Sequence, residues 1–219
     1  KEADLQYEWL ESRIAGLQPN RLTRTDGIKG RIAAYQAAAR ASNTPWFFAV
    51  FAKLHVDSKF DWSWQPDRMQ QPKHYIFHAL NPVNGLEYGH QAMIAYNRNL
   101  VLANSGSGLD FTLDSEHEVV PIRSGVACYN TTPWATWRTA FREVIKLKHS
   151  LPDVESEYRL RRWLEGCDGE YGFYSQAGAE DAVEYYDSVA GDFAELRKSY
   201  EWQWLASYAF MKRGLSPDR

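Results

Sequence analysis

The segment PWFFAVFAKLHVD, residues 45–57, constrains the fold more than any other stretch of the chain. Every residue from Trp46 to Ala52 is apolar, and Pro45 and Lys53 bound a run of strand length. A strand that lacks apolar–polar alternation is typical of a central strand with both faces covered, usually in a parallel sheet. The segment therefore predicts a buried, central, parallel strand that runs directly into charged residues.

The surrounding elements predict an α/β fold with a helical C-terminal third. Before the apolar run, helices are predicted at residues 3–16 and 27–42, with a short strand at 20–25 between them. On the second helix, Tyr35 and Ala39 share one apolar face. Later strands are predicted at residues 74–80, 88–97, 119–122 and 125–130. The last third is predicted to be helical, with segments at residues 133–150, 153–166, 179–191 and 192–214.

The chain is predicted to divide into an α/β core at residues 1–150 and a helical extension at residues 151–219. The last helix of the core is expected to begin at Pro133, because Thr132 is a favourable N-cap and proline fits the first helical position. This helix is expected to end near Ser150, two residues before a proline.

The formal net charge of -3 gives no support for a polyanionic partner, but the charge is unevenly distributed. Nine acidic residues and no Lys or Arg lie between Arg162 and Arg197. This acidic segment is either part of a solvated helix pair or the far wall of an anion-binding cleft. The two cysteines form no CxxC pair, and no apolar run approaches the ~20 residues of a membrane span. We therefore expect a soluble, cytoplasmic protein without a membrane partner.

A basic stripe on the helix from Pro133 is the clearest candidate for binding phosphate. Arg138, Arg142 and Lys146 are spaced four residues apart, so they share one side of the helix. They border an apolar face that includes Trp137. Cations at the rim of a buried face are suited to hold phosphate oxygens. The alternative is a solvated edge whose cations form ion pairs with the acidic segment.

The segment NPVNGLEYGH, residues 81–90, combines turn residues with polar side chains directly after a predicted strand. In an open α/β sheet, ligands bind beyond the carboxyl ends of the strands. Glu87 and His90 are therefore candidate acid or base groups. The residues expected to contact substrate are Asn81, Asn84, Gly85, Tyr88 and Trp137. The alternative is a tight turn with a histidine satisfied by hydrogen bonds.

Two further segments carry weaker signals. Residues 103–118 form a long polar loop that is predicted to act as a mobile lid, and Asp110 in this loop is the preferred candidate base. His55, Asp57 and Asp61 are candidate nitrogen and oxygen ligands of a metal ion. The sequence contains no Walker A, GxGxxG, HExxH or GxSxG motif, and no residue pattern points to Ser-His-Asp chemistry.

Three stretches together resemble glycosyltransferases of the GT-A fold. RTDGIKGRIAAYQAAARASNTPWFFAV, followed by an acidic loop, resembles their nucleotide-sugar half, in which a helix with small residues precedes a buried strand. NPVNGLEYGH and TPWATWRTAFRE are similar to a GT-A-like group of bacteriophages and bacteria. The resemblance covers roughly residues 20–148 and implies a GT-A-like mixed central sheet flanked by helices.

This resemblance implies an enzyme that moves a sugar from a nucleotide-sugar donor to an acceptor hydroxyl. Some phage glycosyltransferases of this kind decorate hydroxymethylated DNA bases, so it also implies DNA as a partner, with a hydroxymethylated pyrimidine as the acceptor. A glycan acceptor and a non-catalytic GT-A-like binding module are the alternatives. A metal-dependent nuclease that uses Asp57 and Asp61 is a third hypothesis.

Two departures from the family pattern concern the metal and the base. The family's DxD motif, whose carboxylates hold Mn²⁺ or Mg²⁺ on the donor diphosphate, would fall at residues 51–53, where neither acidic position is acidic. We therefore expect that Lys53 neutralises the diphosphate directly, or that His55 and Asp57 hold the ion. The chain also begins beyond the family's first strand, which helps to hold the base. Either the base pocket is built differently, or an N-terminal segment precedes Lys1, or catalysis has been lost.

Overall fold

The computed structural model of the protein describes residues 2–14, 21–106 and 110–217. The chain forms two compact units. The first, called the sheet unit, comprises Lys1–Leu80 and Glu87–Ala127, and the second, called the helical unit, comprises Asn81–Leu86 and Cys128–Arg219. The sequence predicts a boundary at residue 150, whereas the chain enters the helical unit at Cys128. The long helix that begins at Pro133 therefore belongs to the helical unit.

The sheet unit contains a mixed sheet with three helices. The helices are α1 (Glu2–Ile14), α2 (Arg31–Ala41) and α3 (Arg98–Ala103). The strands are β1 (Trp46–Val50), β2 (Leu54–Val56), β3 (His74–Asn81), β4 (Leu86–Asn97) and β5 (His117–Ala127). Their order is β1-β4-β3-β5-β2, with β3 and β5 parallel, β1 and β4 antiparallel, and β2 and β5 antiparallel. The predicted mixed α/β architecture is confirmed, whereas residues 21–25, predicted as part of a strand, are irregular.

Strand β1 corrects the prediction from the apolar run. It lies at an edge of the sheet and pairs antiparallel with β4, so it is neither central nor parallel. All five of its residues are half-buried. Phe47 and Ala49 pack against the core cluster that includes α2, and Phe48 packs on the opposite face. The run is continuously apolar because both faces of an edge strand are covered, not because the strand is central.

The face of the sheet that α2 covers holds a cluster of buried hydrophobic residues. Tyr35 stacks on Phe111 with ring centroids 4.7 Å apart and contacts Tyr96 at 5.3 Å. Ala39 is fully buried in the same cluster. The inward face predicted for Tyr35 and Ala39 is therefore confirmed. Burial of such large rings supplies most of the stabilisation of a small core.

The opposite face carries an aromatic cluster contributed partly by the loop at residues 57–73. Phe48 of β1 lies 5.8 Å from Phe60 and 5.6 Å from Trp62, both edge-on. Trp64 lies 5.0 Å from Phe77 of β3, also edge-on. The tryptophans of this proline-containing loop thus serve packing within the sheet unit.

The segment predicted as a mobile lid is anchored to the core in its described part. Phe111 is 1% exposed and Thr112 is 3% exposed. The Asn104 side chain donates to the Phe111 carbonyl oxygen at 2.9 Å, and the Thr112 and Tyr96 hydroxyls are 2.6 Å apart. Residues 107–109 of the predicted lid lie outside the described residues. Because Phe111 and Thr112 are buried, this part of the segment is not the open polar loop that the sequence predicts.

The helices in the described part of the helical unit range from 5 to 18 residues in length. They are α4 (Pro133–Ser150), α5 (Val154–Glu165), α6 (Gly172–Ser188), α7 (Phe193–Arg197), a 3-10 turn (Lys198–Tyr200) and α8 (Trp202–Arg213). Helix α4 begins and ends where the sequence predicts. The Thr132 hydroxyl oxygen accepts from the Ala135 N–H at 3.1 Å, and Pro133 occupies the first turn.

Helices α4 and α6 are in close contact at a glycine. A Cβ added to Gly178 would lie 2.4 Å from the Trp137 carbonyl oxygen and 3.1 Å from the Ala140 side chain. The glycine thus sets how near the two backbones approach. No helix formed by the described residues is both long enough and apolar enough to cross a membrane.

Candidate functional site

Two arginines of α4 lie over two aromatic rings, and we call these four residues the arginine–aromatic pairs. The guanidinium carbon of Arg138 is 5.5 Å from the centroid of the Trp202 ring. The guanidinium carbon of Arg142 is 4.0 Å from the centroid of the Tyr200 ring. The arginines are one helical turn apart, and the rings are two residues apart. The structure therefore brings together two of the predicted phosphate-binding residues with two aromatic partners.

A break in the chain at Glu201 positions both rings. Glu201 has extended backbone angles, φ -85° and ψ 116°, between the 3-10 turn and α8. This extended residue interrupts the helical rotation between Tyr200 and Trp202. In the continuous helical segment that the sequence predicts, Tyr200 and Trp202 would point about 200° apart. Sequence reasoning missed both residues because neither proline nor glycine marks this break.

The Trp202 ring is accessible, although its orientation is constrained. It is 54% exposed. It meets the buried Trp134 ring at 5.7 Å and an angle of 78°. Arg138 and Arg142 are half-buried. The pairs therefore present an indole and two guanidinium groups that packing already orients.

Lys146, the third member of the predicted basic stripe, is engaged differently. Its ammonium lies 2.7 Å from a carboxylate oxygen of Glu143. The other oxygen of Glu143 accepts from Arg159 at 2.7 Å. Glu143 is mostly buried and faces both cations, so Lys146 is held by an ion pair within the helical unit.

Trp137, predicted to contact substrate, is fully buried. Its indole N–H donates to the Asp181 carboxylate of α6 at 2.8 Å. Arg213 of α8 donates to both oxygens of the same carboxylate, at 2.9 to 3.2 Å. Hydrogen bonding to Asp181 raises the pKa of the Arg213 guanidinium. These three residues connect α4, α6 and α8 through one buried carboxylate.

The acidic segment pairs with basic residues elsewhere in the helical unit. Asp187 lies 2.9 Å from Lys148 of α4, and Glu184 forms an ion pair with Lys212 of α8. The solvated side chains of Asp187 and Glu184 agree with the interpretation as a helix pair with ion pairs at its surface.

The residues Asn81–Leu86, which we call the asparagine turn, are folded by their own side chains. The Asn81 side-chain oxygen accepts from the Val83 N–H at 3.3 Å and from the Asn130 side chain at 2.9 Å. The Asn84 side-chain oxygen accepts from the Leu86 N–H at 3.1 Å.

The asparagine turn is also held by α5. Two N–H groups of Arg162 donate to the Asn84 carbonyl oxygen, and Gly85 has a φ of 67°, which favours glycine. Asn81 and Asn84 are buried. The geometry matches the tight turn that the sequence leaves open as the alternative to a substrate contact.

Lys53, His55 and Asp57 lie in the sheet unit around β2. Lys53 occupies the turn between β1 and β2. The exposed His55 ring has its Nε2 2.5 Å from the side-chain nitrogen of Gln6 on α1. The Asp57 carboxylate accepts from the Lys59 N–H at 3.0 Å.

The metal ligands that the resemblance implies are not assembled here. Across residues 2–14, 21–106 and 110–217, no three His, Cys, Asp or Glu side chains lie together as a metal-binding group. Asp61, the third candidate ligand, accepts from the Ser63 N–H and hydroxyl, which lowers the pKa of its carboxyl group.

The candidate acid and base groups also lie in the sheet unit, each with a local contact. Glu87 is 3.7 Å from Arg123, with both side chains exposed. Ring Nδ1 of the buried His90 accepts from the Ala92 N–H at 3.0 Å. The Asp110 carboxylate accepts from the Thr112 N–H at 3.0 Å.

Tyr88, another predicted substrate contact, is 5% exposed, and its ring meets the His90 ring at 5.7 Å. The pair lies on β4, where alternate residues share one face. The phenol and imidazole are therefore a packed pair, with little of either ring accessible.

Comparison with known proteins gives no relative of this chain. No protein-family model, no curated protein and no solved structure matches the chain.

Proposed function

We propose that the protein is a nucleotide-sugar-dependent glycosyltransferase whose donor diphosphate is held by the arginine–aromatic pairs. The observation that carries this proposal is the placement of Arg138 and Arg142 over Trp202 and Tyr200. The resemblance of residues 20–148 to the GT-A group supplies the reaction class, and the pairs supply a place for the phosphates.

The arginine spacing suits a diphosphate. Residues four apart on a helix rise ~6 Å along its axis, so two guanidinium groups can each bind oxygens of one extended anion. Guanidinium groups bind phosphate oxygens through paired N–H donors. Aromatic packing limits the conformations of both side chains, which lowers the entropy lost on binding.

The reaction would form one bond and break one. The acceptor hydroxyl oxygen attacks the anomeric carbon, the bond from that carbon to the diphosphate oxygen breaks, and a base takes the hydroxyl proton. The nucleoside diphosphate leaves with the bonding electrons, so cations near it lower the barrier. For the base we propose Asp110 first, then Glu87 and His90.

Lys53 is proposed as a further neutralising cation. Lys53 lies in the turn between β1 and β2, and the resemblance to the GT-A group implies that this position corresponds to the end of the family's DxD motif. Calorimetric titration of the donor in EDTA and in Mn²⁺ tests this assignment. We expect equal binding in both buffers, and strict dependence on Mn²⁺ would contradict it.

The acceptor is proposed to be a hydroxymethylated pyrimidine in DNA, in the cytoplasm of the cell that makes the protein. Binding of DNA would then fall steeply with salt, because cationic side chains release counterions from the phosphates. We expect measurable binding to DNA at low salt. Its absence would move the acceptor to a glycan or a small molecule.

The central experiment is turnover of a panel of nucleotide sugars, measured as release of nucleoside diphosphate. We expect at least one donor to be consumed by the wild type and Arg142→Ala to abolish this with an unchanged circular dichroism spectrum. Arg161→Ala is the matched control, because Arg161 is an exposed arginine on the neighbouring α5. Wild-type turnover by Arg142→Ala would remove α4 from the mechanism.

A non-catalytic binding module is the second candidate. The local contacts of Glu87 and Asp110 favour it, because each carboxylate already has a structural partner, Arg123 for Glu87 and the Thr112 N–H for Asp110. This candidate predicts that a nucleotide sugar binds and is neither hydrolysed nor transferred under any acceptor condition.

A further inference from the structure

We infer that Trp202 is the platform on which the nucleobase of the bound nucleoside diphosphate stacks, beside the two arginines that take its phosphates. This inference rests on the proposed use of the arginine–aromatic pairs for phosphate, and it adds the recognition of a base. It locates the base pocket in the helical unit, on a side chain that the sequence did not single out.

Exposure separates Trp202 from the other aromatic rings around it. Its side chain is 54% exposed, whereas Trp134 is 3% exposed and Trp137 is fully buried. Tyr200 is half-buried and lies under Arg142 at 4.0 Å. Among these rings next to the arginines, Trp202 has the surface on which a flat ligand can lie.

The ring is also held in place before a ligand arrives. Trp134 contacts it edge-on at 5.7 Å, and Arg138 lies 5.5 Å from its centroid. The residue begins α8, so its backbone is fixed by the helix that follows. A rigid aromatic side chain loses little conformational freedom when a base stacks on it.

The neighbouring charges fit the remainder of a nucleotide. Proteins that bind single-stranded nucleic acid without sequence preference combine aromatic rings, on which the bases stack, with cations that bind the phosphates. Arg138 is next to the ring, and Arg142 follows one turn further along α4. A base on Trp202 would therefore leave its diphosphate in reach of both guanidinium groups.

The test compares ligands with and without a base. Calorimetry measures the affinities of uridine diphosphate, guanosine diphosphate and inorganic pyrophosphate for the wild type, Trp202→Ala, Trp202→Phe and Phe210→Ala. Phe210 is the matched control, because it is a 62% exposed aromatic residue on the same helix.

We expect the wild type to bind a nucleoside diphosphate about tenfold more tightly than pyrophosphate, from base–aromatic stacking. Trp202→Ala should lose this preference while keeping its pyrophosphate affinity, and Trp202→Phe should retain most of it. Phe210→Ala should behave as the wild type. Quenching of the Trp202 fluorescence, obtained as the wild type minus Trp202→Phe, should accompany nucleotide binding but not pyrophosphate binding.

The inference would be overturned if the wild type bound nucleotide and pyrophosphate equally, or bound neither. It would also be overturned if Trp202→Ala lost both affinities equally, because the ring would then only position Arg138. Loss of the nucleotide preference in Phe210→Ala would overturn it as well. Failure of the proposed function is distinguishable, because a Trp202-dependent nucleotide preference without sugar turnover would leave the base platform in place and remove the transferase activity.

Discussion

The guanidinium carbon of Arg142 lies 4.0 Å from the centroid of the Tyr200 ring, closer than Arg138 lies to Trp202. This contact joins α4 to the 3-10 turn before α8. A cation over an aromatic face is attracted by the negative face of the ring, and the attraction strengthens where water is excluded. Both side chains are half-buried, so the contact contributes to stability as well as to a binding surface.

The Arg142–Tyr200 contact is expected to show a coupling free energy of about 0.5–1 kcal/mol. A double-mutant cycle with Arg142→Ala and Tyr200→Ala, followed by urea unfolding, measures it. Tyr200→Phe keeps the ring face and serves as the control, which should retain most of the coupling. Additive effects of the two alanine substitutions would show that the ring and the guanidinium do not interact.

The buried carboxylate of Asp181 is expected to be far more important than an exposed ion pair on the same helix. Asp181→Ala removes the acceptor of Trp137 and Arg213 and leaves their donors without it, at a cost of about 3–5 kcal/mol. Asp187→Ala, which removes an exposed pair with Lys148, should cost less than about 1 kcal/mol. Urea unfolding of both variants checks the contrast, and similar costs would refute the structural role of Asp181.

His74 is expected to make stability pH-dependent. Its Nδ1 accepts from the Asn97 N–H, so the proton of the neutral ring is on Nε2, in a fully buried site facing His117. Burial lowers the pKa of His74 from 6.5 to about 4. The unfolded chain therefore takes up the proton first, so stability is complete above pH 6.5 and falls as the pH drops towards 4.

The loss from His74 should approach about 3 kcal/mol by pH 4 and should level off below it, as the folded state also takes up the proton. The difference in unfolding free energy between the wild type and His74→Gln, followed from pH 7 to pH 4, isolates this contribution from the carboxyl groups. A difference that stays constant across this range would mean that His74 does not titrate as described.

Gly178→Ala is expected to destabilise the protein by about 1–3 kcal/mol, because the added methyl group would meet the Trp137 carbonyl oxygen and force α4 and α6 apart. Helix propensity alone favours the opposite sign, since alanine is about 1 kcal/mol better than glycine inside a helix. Thermal unfolding decides between them, with Gln176→Ala at an exposed position of α6 as the control. A higher melting temperature for Gly178→Ala would show that the helices have room for the methyl group.

Local signals predicted those parts of the fold that depend on neighbouring residues. Thr132 and Pro133 place the start of α4 because a cap and its first turn are adjacent in the chain. Tyr35 and Ala39 lie inward on α2 because helical periodicity alone puts them on one face. The spacing of Arg138 and Arg142 likewise follows from one helix.

Partners that are distant in the chain could not be predicted. The aromatic partners of the arginines depend on the extended residue Glu201, which nothing nearby marks as a break. The buried environment of Trp137 depends on Asp181, 44 residues away. The candidate site combines two arginines with an indole and a phenol from a distant part of the chain. The basic stripe on α4 therefore does not reveal these aromatic partners.

The apolar run at residues 46–52 shows where the two kinds of information divide. The sequence by itself determined that this segment contains a strand, residues 46–50 in the structure, with apolar side chains on both faces. Only the tertiary structure decided that the strand lies at an edge and pairs antiparallel with β4. The free energy of hydrophobic burial depends on how much apolar surface is covered and not on which element covers it. Strand order and direction depend instead on hydrogen bonds to chain segments that are far away in sequence.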